Sequence, residues 1–157
     1  MDIMRHKLLF LTAFLIGLAP ARAFATPDPE QLDSPKYYAL LALGTRYHFG
    51  GRSPETGFDC SGLVAHVFER AWGMLLPRSA LEQAAVGKPI RKLNELEPGD
   101  LVFYNTRNSP FSHVGIYLGA GQFIHAPRPG QRVRVEHVDS PYWKARFNGA
   151  RRLAPPL

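Results

Sequence analysis

An apolar run over residues 8–19 follows Arg5, His6 and Lys7, and a polar, proline-bearing stretch fills residues 26–33. From residue 34 the spacing becomes that of folded elements. Ser34-Pro35 supplies a cap and a first-turn proline, so a helix is predicted through 37–43, stopping near Gly44. Residues 49–54 read as a loop. A second helix is predicted over 60–72, because Leu63, Val64, Val67 and Ala71 recur from Cys60 at i+3, i+4, i+7 and i+11. A short third helix opens at Ser79, three residues before Glu82, in capping-box spacing. Beyond Pro98-Gly99 the pattern turns to strands, over 101–104, 114–118, 122–125, 133–138 and 150–153. Helices first and antiparallel strands after define an α+β domain, with the helices packed on a sheet of about five strands.

The length of 157 residues suits one domain, and 45% apolar with 20% charged residues excludes a disordered chain. The beginning of the chain has the charged, apolar and small-residue regions of a secretory signal peptide. The expected organisation is therefore a signal peptide over 1–25, a tether over 26–34 and a catalytic domain over 35–157. The apolar run is too short to be a membrane span. Cleavage is expected after Ala25, or else after Ala23, leaving an exported protein without a membrane anchor, in the periplasm or otherwise secreted. The net charge of +6 suits an anionic polymer. The basic residues are scattered and lack an aromatic-interleaved stripe, however, so nucleic acid is not an expected partner.

Export changes the meaning of the single cysteine, Cys60, since exported proteins use cysteines in pairs for disulfides. Cys60 begins the apolar stripe of its helix, where unpaired N–H groups and the helix dipole favour a thiolate. Ser61 and Gly62 leave the approach to the thiol uncrowded, and the Cys60 amide is placed to help hold an oxyanion. A nucleophilic thiol needs a base that later protonates the leaving amine. His113 and His125 bracket two apolar strands around Gly119-Ala120-Gly121. Paired residues of a hairpin have a constant sum, and here the sum is even. An odd-length loop centred near Gly119 therefore sets the two histidines directly opposite on one face. A two-residue loop would separate them unless a bulge intervened. His48, His66 and His137 lack such partners and read as surface residues. One cysteine with distant histidines does not have the ligand spacing of a metal site, and no cofactor is expected.

The stretch 47–64, with Phe58-Asp59-Cys60-Ser61-Gly62 near its end, resembles the signature of the NlpC-type (NlpC/p60) cell-wall cysteine peptidases. Leu76-Pro77-Arg78-Ser79, Pro98-Gly99-Asp100-Leu101, His113-Val114-Gly115-Ile116 and Phe123-Ile124-His125 continue the resemblance in family order. It implies a papain-like fold and hydrolysis of amide bonds in peptidoglycan stem peptides or their crosslinks. In those terms Cys60 matches the nucleophile, His113 the base and His125 the third polar residue. Tyr47 matches a tyrosine that assists the oxyanion, and Asp59 and Ser61 match positions that hold the stem peptide. Arg78, Ser79 and Asp100 belong to the same blocks, though each also suits a turn, cap or loop. Alternatives are an idle wall-binding adaptor, an acyltransferase using the same Cys–His pair, and a toxin aimed at rival cells. A monomer is expected.

Overall fold

The computed structural model describes residues 34–157. The expected signal peptide, and all of the expected tether except Ser34, lie outside the described residues.

Helix α1 (Pro35–Leu41) starts as predicted, with the Ser34 side chain accepting a hydrogen bond from the Tyr37 N–H. It ends at Leu41, two residues early, and a turn leads to Gly44. The segment read as loop holds strand β1 (Arg52–Ser53), which pairs antiparallel with β2 (Gly57–Phe58) just beyond it. Helix α2 (Cys60–Trp72) has the predicted bounds. Asp59 caps its first turn, and Gly73, at φ 63°, closes its last. Leu63, Val64 and Val67 are fully buried, and Phe68 rather than Ala71 completes the stripe. Helix α3 (Ala80–Gln83) carries the capping box of Ser79 and Glu82.

Six strands build one antiparallel sheet. They are β3 (Lys88–Ile90), β4 (Leu101–Tyr104), β5 (His113–Gly119), β6 (Gln122–His125), β7 (Arg134–His137) and β8 (Phe147–Arg152), in the order β3-β8-β4-β5-β6-β7. The unforeseen strand β3 contains Pro89 and lies at an edge, where a residue without an N–H is tolerated. Helix α2 packs on one face of the sheet, over Leu101, Phe103, Val114, Ile116 and Ile124. A second core of Val102, Tyr104, Phe123 and Trp143 fills the other face. Trp143 comes from α4 (Pro141–Lys144), a one-turn helix too short to show as a periodic pattern.

The β5–β6 hairpin reaches the expected parity by a different route. Ile116 pairs with Ile124 and Tyr117 with Phe123, whereas Gly119 pairs with Gln122, so a bulge lies at Leu118. The loop is the two residues Ala120 and Gly121, at φ 51° and 73°, as a primed turn requires. The bulge restores the shared face that a two-residue loop alone would lose. Continuing this register sets His125 opposite Gly115 and diagonal to His113, so the expected direct opposition is wrong by two positions.

Candidate active site

The absence of a side chain at Gly115 joins the two histidines. A Cβ there would lie 2.7 Å from the Phe123 ring and 3.2 Å from the His125 Cβ. Across that gap His113 Nε2 and His125 Nδ1 are 2.7 Å apart, and both residues are buried. His125 Nε2 lies 2.9 Å from Glu136 Oε2, which also accepts from the Trp143 indole N–H at 2.7 Å. Arg134 pairs with the other Glu136 oxygen at 3.0 Å. These partners, the His125 hydrogen bond first among them, hold the Glu136 pKa down at about 2.

An ionised carboxylate only accepts, which sets the tautomers along the row. His125 donates from Nε2 to Glu136 and accepts at Nδ1 from His113 Nε2–H. His113 Nδ1 is then left without a proton, which is the form a base requires. Burial, then His125 and Arg107, hold the His113 pKa well below the ordinary imidazole range. Burial also lowers that of His125, with Glu136 opposing.

Cys60 faces the start of β5, where the Val114 N–H is near enough to its sulfur to act on the thiol pKa. Val114 follows His113 directly, so the thiol is set against the His113–Val114 peptide unit. The expectation of a lowered thiol pKa does not hold. Burial is the largest influence and raises it, Asp59 adds to the rise, and the Val114 and Ser61 N–H groups and Arg107 only oppose. The free protein therefore carries a neutral thiol and a neutral His113 imidazole at neutral pH. Alkylation of Cys60 by iodoacetamide should accelerate with pH, with a midpoint above the ordinary thiol value of about 8.5. A rate already level between pH 6 and 7 would instead reveal a standing thiolate.

Asp59 serves the helix start. Its carboxylate accepts from the Gly62 N–H at 2.7 Å and the Gly50 N–H at 2.9 Å, and holds the Arg78 guanidinium through both oxygens. Arg78 also donates to Ser61 Oγ at 2.9 Å. Gln83, fully buried on α3, anchors this corner by donating to the Ser61 and Pro77 carbonyls. The structure thus brings Cys60, Tyr47, Asp59, Ser61, Arg78 and Ser79 to one cavity of about 550 Å³. Asp100 is not brought there. Its buried carboxylate takes two hydrogen bonds from Arg152 at 2.8 Å and one from the Glu97 N–H, tying β8 to the start of β4. His66 is half-buried against the Phe58 ring rather than on the surface, and takes no part.

Two residues escaped the sequence reading. Glu136 lies on β7 opposite Phe123 and diagonal to His125. The strand was foreseen, but the long connection from 126 to 133 gave no register from which to place Glu136. Arg107 comes from the irregular loop between β4 and β5, where no periodicity locates it. It lies near Tyr47, where its positive charge opposes the rise in the phenol pKa that burial and the nearby Cys60 cause. It lines both the cavity that holds Cys60 and a second one, of about 470 Å³, onto which His113 opens. Among the described residues no cluster of side chains could hold a metal ion, and no helix is long and apolar enough to cross a membrane.

A helix that begins with its cysteine, laid on an antiparallel sheet that carries the histidines, is the papain-like α+β arrangement. The chain belongs to the NlpC/P60 family, whose model matches residues 44–152. It is 46% identical over 128 residues to a γ-DL-glutamyl hydrolase of Bacillus subtilis, covering 80% of this chain and 30% of that protein. It is 44% identical over 110 residues to the murein DD-endopeptidase MepS/murein LD-carboxypeptidase of Escherichia coli, covering 70% of this chain and 56% of that one. The chain thus spans about a third to somewhat over half the length of these two relatives. A third relative, the probable endopeptidase NlpC of Escherichia coli, is 36% identical and is covered over its full length by 96% of this chain. Among solved structures, the NlpC/p60 domain of the peptidoglycan hydrolase SagA matches with a TM-score of 0.66 at 34% identity, over 76% of this chain and 97% of that one.

Proposed function

We propose that this protein is an exported peptidoglycan endopeptidase, acting in the periplasm or beyond the cell, with Cys60 as nucleophile, His113 as base and His125 as the residue that orients His113. One observation carries the reading: the row Glu136–His125–His113, which leaves His113 Nδ1 free to accept a proton, with Val114, the next residue of the same strand, set against the Cys60 sulfur. The relatives' names support peptidoglycan as the substrate. Substrate binding brings a carbonyl carbon to Cys60. His113 Nδ1 takes the thiol proton as sulfur bonds to that carbon, and the developing imidazolium is stabilised through His125 by Glu136. The oxyanion is held by the Cys60 N–H, free at the first turn of α2, and by the Tyr47 hydroxyl. The C–N bond then breaks and the amine leaves with the proton from His113. A water gives one proton to His113 and its oxygen to the acyl carbon, and the released thiolate recovers that proton.

The test is incubation of purified sacculi with the protein, and with protein whose thiol has been alkylated, followed by mass spectrometry of the muropeptides. Shortened stems or lost crosslinks should appear only with the free thiol. Unchanged muropeptides from a folded protein with a reactive thiol would refute the peptidoglycan substrate.

A further inference from the structure

The cavity onto which His113 opens carries more positive charge than the chemistry of the row requires. Arg107, Arg128 and Arg134 line it, against the single carboxylate of Glu136. Arg134 is engaged with Glu136 and with the Gln131 side chain, at 3.0 and 2.6 Å. Arg107 and Arg128 are exposed, and among the described residues neither forms an ion pair with a carboxylate. On the other side, where Cys60 opens, Arg78 is already neutralised by Asp59. Arg107 lines both cavities and Arg128 only the second, so the larger uncompensated charge lies on the histidine side of the bond to be cut. That side receives the amine, because the amine takes its proton from His113, while the acyl half stays on Cys60.

We propose that this second cavity is a leaving-group subsite in which Arg107 and Arg128 bind a free carboxylate borne by the carbon of the scissile amine. The proposal rests on the endopeptidase reading above, and deepens it by naming the chemistry of the departing half. Two guanidinium groups suit a carboxylate through paired charge-assisted hydrogen bonds. In a crosslink made through the side-chain amine of a diaminodicarboxylic acid, the carboxylate on that carbon is free. At the amine inside a stem, the neighbouring carboxyl is tied up in the next peptide bond unless the stem ends there. The subsite therefore favours crosslinks of this type, and stems that end at the diamino acid, over amines followed by further peptide.

The test compares two soluble crosslinked muropeptide dimers. One has the free diaminopimelate carboxylate beside the scissile amine and the other has that carboxylate amidated. The protein should cleave the free acid with kcat/KM at least about tenfold above the amide, mostly through KM. In Arg128→Gln and Arg107→Gln that preference should fall severalfold toward unity. Cysteine-dependent cleavage of both dimers at equal rates would overturn the subsite and leave the endopeptidase standing. A preference that persists in both variants would also overturn it, since the carboxylate would then be read elsewhere. Cleavage of neither dimer, nor of sacculi, would remove the endopeptidase reading and the subsite with it.

Discussion

Cys60→Ala and His113→Ala will each fold and each lose about a thousandfold or more in kcat/KM on crosslinked muropeptides, and the double variant will be no worse than either single one. The expectation follows from how the two groups work. In the free protein neither is activated alone, since burial keeps the thiol protonated and the imidazole neutral. In the proposed mechanism nucleophile and proton acceptor work only as a pair, so removal of one leaves the other without a use. His125→Ala should lose less, roughly ten- to a hundredfold, because it holds His113 in the right tautomer without touching the substrate. Steady-state kinetics with circular dichroism as a fold control decide this. Additive losses in the double variant would mean that the two residues act separately, and a loss in His125→Ala equal to that in His113→Ala would give His125 a direct part in the chemistry.

Gly62→Ala will unfold the start of α2. A Cβ at residue 62 would stand 2.0 Å from the Gly51 carbonyl oxygen and 2.8 Å from Asp59 Oδ1. The first is backbone and cannot rotate away. It is also held in place, because the same carbonyl accepts the Asp59 N–H at 3.2 Å. From its place after Cys60 and Ser61, Gly62 is expected to serve the approach of a substrate. The structure gives it to the approach of the chain itself, which seats the Cys60 turn against the loop before β1. Relief of the clash must pull that loop off α2 and disturb the Asp59 cap, so a loss of about 4 kcal/mol or more is expected. For a domain of this size that is a fall in Tm of about 15 °C or more. Gly73→Ala is the contrast. Gly73 also has a positive φ, but nothing lies within 4 Å of its added Cβ, so only about 1 kcal/mol of backbone strain is expected. Equal melting temperatures for the two variants would show that the loop yields at little cost.

Where a periodic pattern and a cap coincide, the sequence was legible. Helix α2 could be bounded at Cys60 and Trp72 because its stripe starts at the cysteine and Gly73 ends it. Strands β4 to β7 follow from apolar runs between turn residues. The register of the histidine hairpin was legible only in parity, because the bulge at Leu118 depends on how Ala120-Gly121 turns. The thiol pKa was misread for a physical reason. A helix N-terminus is visible in sequence, but the enclosure of its first side chain by the sheet is a tertiary fact, and it is the larger effect. Glu136 and Arg107 reach the site through a long connection and an irregular loop, which carry no period to follow. Arg78 and Asp59, near in motif but nineteen residues apart, prove to be one ion pair that builds the site's floor.

In the proposed mechanism Cys60 carries the acyl half of the substrate between two half-reactions. Rapid acid quench of the protein during turnover of a crosslinked muropeptide, followed by intact-mass and peptide-mass analysis, tests this most directly. An adduct with the mass of the acyl fragment is expected on the peptide that contains Cys60, and none when Cys60→Ala is used. Turnover by Cys60→Ala at the wild-type rate, or an adduct on another residue, would contradict it.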